Sequence, residues 1–284
     1  MTGSKGQLLN QLDKLLPEGL LVDSAWLKRH GYSAQLQNLY VKSGWLEQPA
    51  RGVFRRPRGA LSWQQVVISL QTILNYSPLV VGGRTSLELQ GYAHYLPQST
   101  TRVHLYGPKA PPNWVQKLPL PVKFVYHNDR RLFKSEPVAK GISSVRWNVE
   151  TGKMLDVTAF RGGDVAQLNW GQWDWPLTLS TPERAFFELL DELPNNESFE
   201  QVDALLGGLA NLRPDRLQKL LQDCGSVKVK RLFFYFADRH EHAWLKRLSK
   251  EGVDLGQGKR MLVRGGVLDP TYQITVPGDL DGVR

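Results

Sequence analysis

Asp23-Ser-Ala-Trp-Leu-Lys-Arg-His-Gly-Tyr-Ser33 is followed by Ala34-Gln-Leu-Gln-Asn-Leu-Tyr-Val-Lys-Ser-Gly44. Trp45-Leu-Glu-Gln-Pro-Ala-Arg-Gly-Val-Phe-Arg-Arg-Pro57 completes the stretch. Each block carries its own punctuation. Asp23 or Ser24 can cap a short helix containing Trp26 and Leu27, and Gly31 suits a left-handed exit. Ser33 can cap a second helix with Leu36, Leu39 and Tyr40 on one face, closed by Gly44. The chain then alternates and turns through Pro49-Ala-Arg-Gly52 to Val53-Phe54, ahead of Arg55 and Arg56. Two helices, a turn and a basic hairpin predict a winged helix-turn-helix.

With Leu36, Leu39 and Tyr40 inward, the second helix shows Ser33, Gln35, Gln37, Asn38 and Lys42 outward. Gln and Asn donate and accept together, which a bidentate contact to an adenine edge in the major groove requires. Lys42, Arg51, Arg55 and Arg56 are placed to reach phosphates, which position a domain without reading sequence. A polar outer helix face is equally what solvent alone would favour. The basic hairpin tips the reading toward DNA.

Working outward, Leu8, Leu9, Leu12, Leu15 and Leu16 form the packing stripe of an amphipathic helix stopped by Pro17. Leu20-Leu21-Val22 predicts a short strand beside the wing. The net charge of +9 is clustered. Residues 1–58 hold nine basic against four acidic side chains, and residues 226–264 ten against four. Such clustering is a footprint for nucleic acid, although a charge run is also an ordinary solvated face.

The expected organisation is α+β: a winged helix-turn-helix over residues 1–58, then a larger mixed α/β domain over 59–284. The latter divides into a strand-rich part (59–179) and a helix-rich part (180–284). Helices are predicted after Ser62, after Thr85 or Ser86, and from the Ser180-Thr-Pro-Glu183 start. Further helices are expected after Ser198, over Asp215–Cys224, over Val227–Ala237 and over His240–Leu248. Strands are predicted at Arg102–Tyr106, Val122–His127, Val145–Val149, Leu155–Phe160, Leu177–Leu179, Arg260–Val263 and Tyr272–Val276. The single cysteine, Cys224, precludes an internal disulfide and reads as a buried thiol. No signal-peptide pattern or membrane-length apolar run is evident, so a cytoplasmic location and no membrane partner are expected.

Catalytic patterns are thin. His240-Glu241-His242 sits in a helical context that would point the rings apart, and no CxxC or His-Glu-x-x-His occurs. Gly256-Gln-Gly-Lys-Arg260 lacks the P-loop spacing, and Gly82-Gly83 reads as a tight turn before it reads as a phosphate cradle. A metal nuclease would need carboxylates such as Asp156, Asp164 and Glu183 to converge, and no acid-x-Lys triplet is present. No catalytic residue, metal or cofactor is expected.

The chain resembles the AbiEi antitoxins of type IV toxin–antitoxin systems. The resemblance is carried by Val41–Leu46, Arg51–Arg55, Leu61–Trp63 and Gly82–Gly91. It continues through Ser226–Phe233, Lys259-Arg260, Gly265-Gly266, Leu268–Pro270 and Ile274–Pro277. It implies a bacterial protein of abortive infection, or phage defence, whose winged domain represses its own operon at inverted repeats. The larger domain would counter a toxin resembling a nucleotidyltransferase, without a stable complex being required. Basic faces of both domains are implied to meet DNA. Gln35, Asn38, Lys42, Arg51 and Arg55 carry over as contacts, with Gln35 and Gln37 where many relatives have Arg or Lys. A second basic surface of Lys228, Lys230, Arg231, Lys259, Arg260 and Arg264 would face DNA. Alternatively it would bind the toxin or its tRNA substrate, in a protein- or RNA-binding module without operator binding.

Overall fold

Helix α1 (Lys5–Leu15) ends just before Pro17, which cannot continue the hydrogen-bond ladder, and buries Leu12 and, beyond its end, Leu16. Strand β1 (Leu21–Asp23) leads directly into α2 (Ser24–Arg29). Helix α3 (Ala34–Lys42) follows, then a hairpin of β2 (Glu47–Ala50) and β3 (Val53–Arg55). The three strands form one antiparallel sheet in the order β1-β3-β2. Leu21, Val22, Trp26, Leu27, Tyr32, Tyr40, Leu46, Val53 and Phe54 are buried in this head. The order helix, strand, two helices and hairpin is the winged helix-turn-helix the sequence predicts. The computed structural model describes residues 5–92, 100–135, 147–148, 153–154 and 164–280.

Two compact units emerge from residue contacts. The first comprises residues 1–81, 100–127 and 138–179, the second residues 82–99, 128–137 and 180–284. The head shares the first unit with α4 (Trp63–Thr72) and a five-stranded sheet. Helix α4 starts with a complete capping box between Ser62 and Gln65. Its buried Ser69 hydroxyl accepts from the Leu21 amide at 2.8 Å, joining the helix to β1.

The sheet order is β6-β5-β4-β10-β9, built from Lys123–Asn128, Arg102–Gly107, Val80–Val81, Trp175–Ser180 and Val165–Trp170 respectively. Strands β4 and β10 run parallel and meet at Leu179 and Val81. Gln71 extends that junction. Its side chain donates to the Leu79 and Thr178 carbonyls at 2.8 and 2.9 Å and accepts from the Thr178 amide at 3.0 Å. Strands β7 (Trp147–Asn148) and β8 (Lys153–Met154) pair with each other. The rest of the strands expected at Val145–Val149 and Leu155–Phe160 lies outside the described residues.

The second unit is helical. Helix α5 spans Gly83–Leu89 and α6 spans Pro182–Asp191; α7 (Phe199–Gly207), α8 (Pro214–Asp223) and α9 (Val227–His240) follow. They bury Phe186, Phe187, Leu206, Leu221, Phe233 and Trp244 in one cluster. Thr85 and Ser86 do not cap α5 as predicted: the cap is Gly82, about one turn earlier, and both residues lie within the helix. The Gly83 amide donates to the buried Glu188 carboxylate at 2.9 Å, so the chain's own acid occupies that helix start. The final strands also differ from expectation. Arg260 makes only an isolated bridge to Ile274, and the ladder is formed by β11 (Val267–Asp269) with β12 (Ile274–Val276). His240–Leu248 is a short 3-10 turn over Ala243–Arg247, since Glu241 in the left-handed region ends α9. No described helix is long and apolar enough to cross a membrane.

Candidate nucleic-acid interface

The helix-turn-helix is built by two caps and a locked turn. Asp23 accepts from the Trp26 amide at 2.7 Å to start α2, and Ser33 accepts from the Leu36 amide at 3.3 Å to start α3. Between them Gly31 takes φ +89°, which lets the chain reverse where a Cβ would be strained. The buried Tyr32 hydroxyl donates to the Leu8 carbonyl at 3.0 Å, and burial, with Tyr40 nearby, pushes its pKa up to about 12. Tyr32 therefore ties the turn to α1 as a neutral donor.

Helix α3 is rotated from its predicted orientation. Gln37 is only 3% exposed: its amide donates to the Tyr32 carbonyl at 2.8 Å and its oxygen accepts from Ser24 Oγ at 3.3 Å. Gln37 thus faces the interior of the head, against the outward orientation expected of it. Leu39, expected inside, is 45% exposed. At 45% exposure the side chain forgoes about half of the roughly 1.5–3 kcal/mol available from full burial. The outward positions are Gln35, Asn38, Leu39 and Lys42, which fall at i, i+3, i+4 and i+7 and share one face. Ser33 stands at the start of that face, committed to its cap.

The wing divides its arginines. Arg51 is exposed at the hairpin tip beside Gly52, whose φ of +75° makes the turn. Arg55 is 5% exposed, with Nε 2.5 Å from Glu47 Oε2 on the facing strand and a guanidinium nitrogen donating to the Gly59 carbonyl at 2.6 Å. Arg56 pairs with Asp13 at 2.6 Å and Glu18 at 3.3 Å, and donates to the Asp13 and Leu16 carbonyls at the end of α1. Arg55 and Arg56, expected at phosphates, are both held in ion pairs within the head. Two cations that the sequence reading did not single out, Lys28 and Arg29, are exposed at the end of α2. The first helix of a helix-turn-helix crosses the DNA backbone, and that placement is the signal that marks them.

The expected second basic surface also separates. Arg231 is buried and donates to the carbonyls of Leu255, Gly258 and Gln273, and Lys230 is buried beside it on α9. Lys228 pairs with Asp191 at 3.2 Å and donates to the Leu193 carbonyl. Arg231 and Lys228 fasten chain turns and Lys230 is buried, so of the six only Lys259, Arg260 and Arg264 are exposed. Met261 stands among them 75% exposed.

Other groups weighed for chemistry have structural partners. The His240 and His242 rings stack with centroids 5.6 Å apart instead of diverging, because the left-handed Glu241 brings them to one side. Nε2 of His240 meets the Asp203 carboxylate at 2.7 Å and Nε2 of His242 the Leu206 carbonyl at 2.8 Å. Glu183 accepts from the Arg213 amide at 2.9 Å, and Asp156 lies outside the described residues. Burial pushes the Cys224 thiol up to about 11, which keeps it protonated and unreactive at neutral pH.

Residues 5–98 match the family model described as the transcriptional regulator, AbiEi antitoxin N-terminal domain. Residues 163–277 match that described as the transcriptional regulator, AbiEi antitoxin, type IV TA system. Together these spans take in well over half of the chain. Among solved structures, the RV2827C protein from Mycobacterium tuberculosis is similar in fold. It shares 17% identity at a TM-score of 0.53, over 95% of this chain and 90% of that one. No curated protein matches the chain.

Proposed function

The chain belongs to the AbiEi family of transcriptional regulators and antitoxins of type IV toxin–antitoxin systems, and on that premise we propose that it binds operator DNA to repress its own operon. The observation that carries this reading is the single outward face of α3. Gln35, Asn38 and Lys42 lie together there, with exposed cations at the wing tip (Arg51) and the end of α2 (Lys28, Arg29). Gln35 and Asn38 read base edges, and the four cations set the head on the phosphates. Residues 1–58 are the DNA reader in this proposal, and 59–284 carry the antitoxin role against a nucleotidyltransferase-like toxin. No catalytic role is assigned to the chain.

The test is a binding titration of the full chain on duplex DNA from upstream of its own operon. Asn38→Ala is expected to weaken binding by about 1–3 kcal/mol and relax preference at one base pair. Equal affinity for this duplex and a scrambled one would overturn the operator-binding reading.

A second reading has its own support: Lys259, Arg260 and Arg264 are exposed in the same segment as the exposed Met261, a composition suited to protein or RNA. Retention of the cognate toxin or of tRNA by the full chain, lost on Arg260→Glu with DNA binding intact, would favour it. Unchanged retention would set it aside.

A further inference from the structure

We propose that Leu39 is a base-reading residue, contacting the C5 methyl groups of thymines in the major groove. The inference rests on the DNA-binding reading above and names what one position of that interface recognises.

The argument starts from an inversion within α3. A helix chosen for stability alone would bury Leu39 and expose Gln37. This one does the opposite, exposing the leucine to 45% and burying the glutamine at 3%. Gln37 holds the turn through Tyr32 and Ser24, which fixes the rotation of the helix and thereby presents Leu39. Departures from local rules of this kind concentrate where a surface has a task beyond folding. A lone exposed leucine is ordinary on a protein surface, but this one has specific neighbours. Leu39 lies one turn on from Gln35 and adjacent to Asn38, the two groups able to pair with adenine.

The chemistry of the partner follows from that setting. The major-groove edge of an A·T pair offers N7 and N6 of adenine to a glutamine or asparagine. On the thymine it offers one apolar group, the C5 methyl. A face with two amides and one leucine matches A·T-rich steps in which the amides take adenines and the leucine covers a neighbouring thymine methyl. Trp45, also exposed, lies beyond the end of α3 and outside this face.

Deoxyuridine lacks only that methyl and keeps every hydrogen-bonding group, which makes it the probe. The full chain is used to enrich binding duplexes from a randomised pool. The enriched duplex is then made with thymidine throughout and with deoxyuridine at single positions. The wild-type chain is expected to lose about three- to tenfold in affinity at one or two deoxyuridine positions per half-site. Leu39→Ala is expected to bind the thymidine duplex more weakly and to be indifferent to those substitutions, whereas Leu39→Met keeps the discrimination. Wild-type affinity that ignores deoxyuridine at every position overturns the proposal. So does full discrimination retained by Leu39→Ala, or a loss in that variant that is equal for all sequences, as a contact between two copies of the chain would give. Failure to enrich any duplex is a separate outcome that strikes the DNA-binding reading itself.

Discussion

The Gln37 side-chain amide donates to the Tyr32 carbonyl at 2.8 Å, so the turn between α2 and α3 is fastened by a residue of α3 itself. Its oxygen also accepts from Ser24. Gln37→Ala would leave a buried carbonyl unpaired and open a small void, at a cost of about 1–3 kcal/mol. The expected readout is a lower melting temperature with base preference unchanged at subsaturating denaturant. Relaxed preference at one base pair with normal stability would show that Gln37 reads DNA after all.

Arg51 and Arg55, both on the wing, should behave oppositely. Arg55 is held between Glu47 and the Gly59 carbonyl, and its loss leaves those partners unsatisfied. Arg55→Ala is expected to lower stability by about 1–3 kcal/mol, the exposed side of Glu47 moderating the cost. Arg51→Ala should leave the denaturation midpoint where it is and reduce the magnitude of the salt slope of DNA binding by about 1. Urea melts and salt titrations on both variants separate the two roles.

The number of available cations sets the salt dependence. Lys28, Arg29, Lys42 and Arg51 are exposed on the head, while Arg55 and Arg56 are committed inside it. Engagement of three or four phosphates predicts a slope of log affinity against log salt of about −3. A slope near −5, measured by titration from low to moderate salt, would mean that further cations join, either the exposed Lys14 or Arg55 and Arg56 released from Glu47, Asp13 and Glu18.

Tyr40 contributes its ring to the core of the head, but its buried hydroxyl has no hydrogen-bond partner among the described residues. Removing an unsatisfied polar atom while keeping the ring relieves a desolvation cost. Tyr40→Phe is therefore expected to hold or raise stability, by up to about 1 kcal/mol. A loss of more than that in a thermal melt would mean the hydroxyl is satisfied in solution, by a water or a neighbouring group.

Much of this was legible in the chain. The caps Asp23 and Ser33, the reversal at Gly31, the stop at Pro17 and the basic hairpin are local signals, each set by a residue's own backbone preferences. They predicted a winged helix-turn-helix, and the structure has one. The strings of the central and terminal segments likewise pointed to the family that the comparisons establish. Gly82 capping α5, and β11 in place of a strand at Arg260–Val263, escaped because glycine-rich turns leave several registers open to local reading.

What sequence alone determined was which residues form the winged head and where its helices begin. The rotation of α3 about its own axis was decided by tertiary structure. A nine-residue helix with Leu36, Leu39, Tyr40 and Val41 spread around it has no unique apolar stripe, so periodicity cannot choose its buried side. The choice fell to partners distant in sequence: Ser24 and Tyr32 for Gln37, and the packed floor of the head for Tyr40. In the same way charge counts could not distinguish Arg51 from Arg55 and Arg56. Whether a guanidinium meets solvent depends on the carboxylates and carbonyls the fold brings beside it, and Glu47, Asp13 and Glu18 are placed there only when the strands and α1 have assembled.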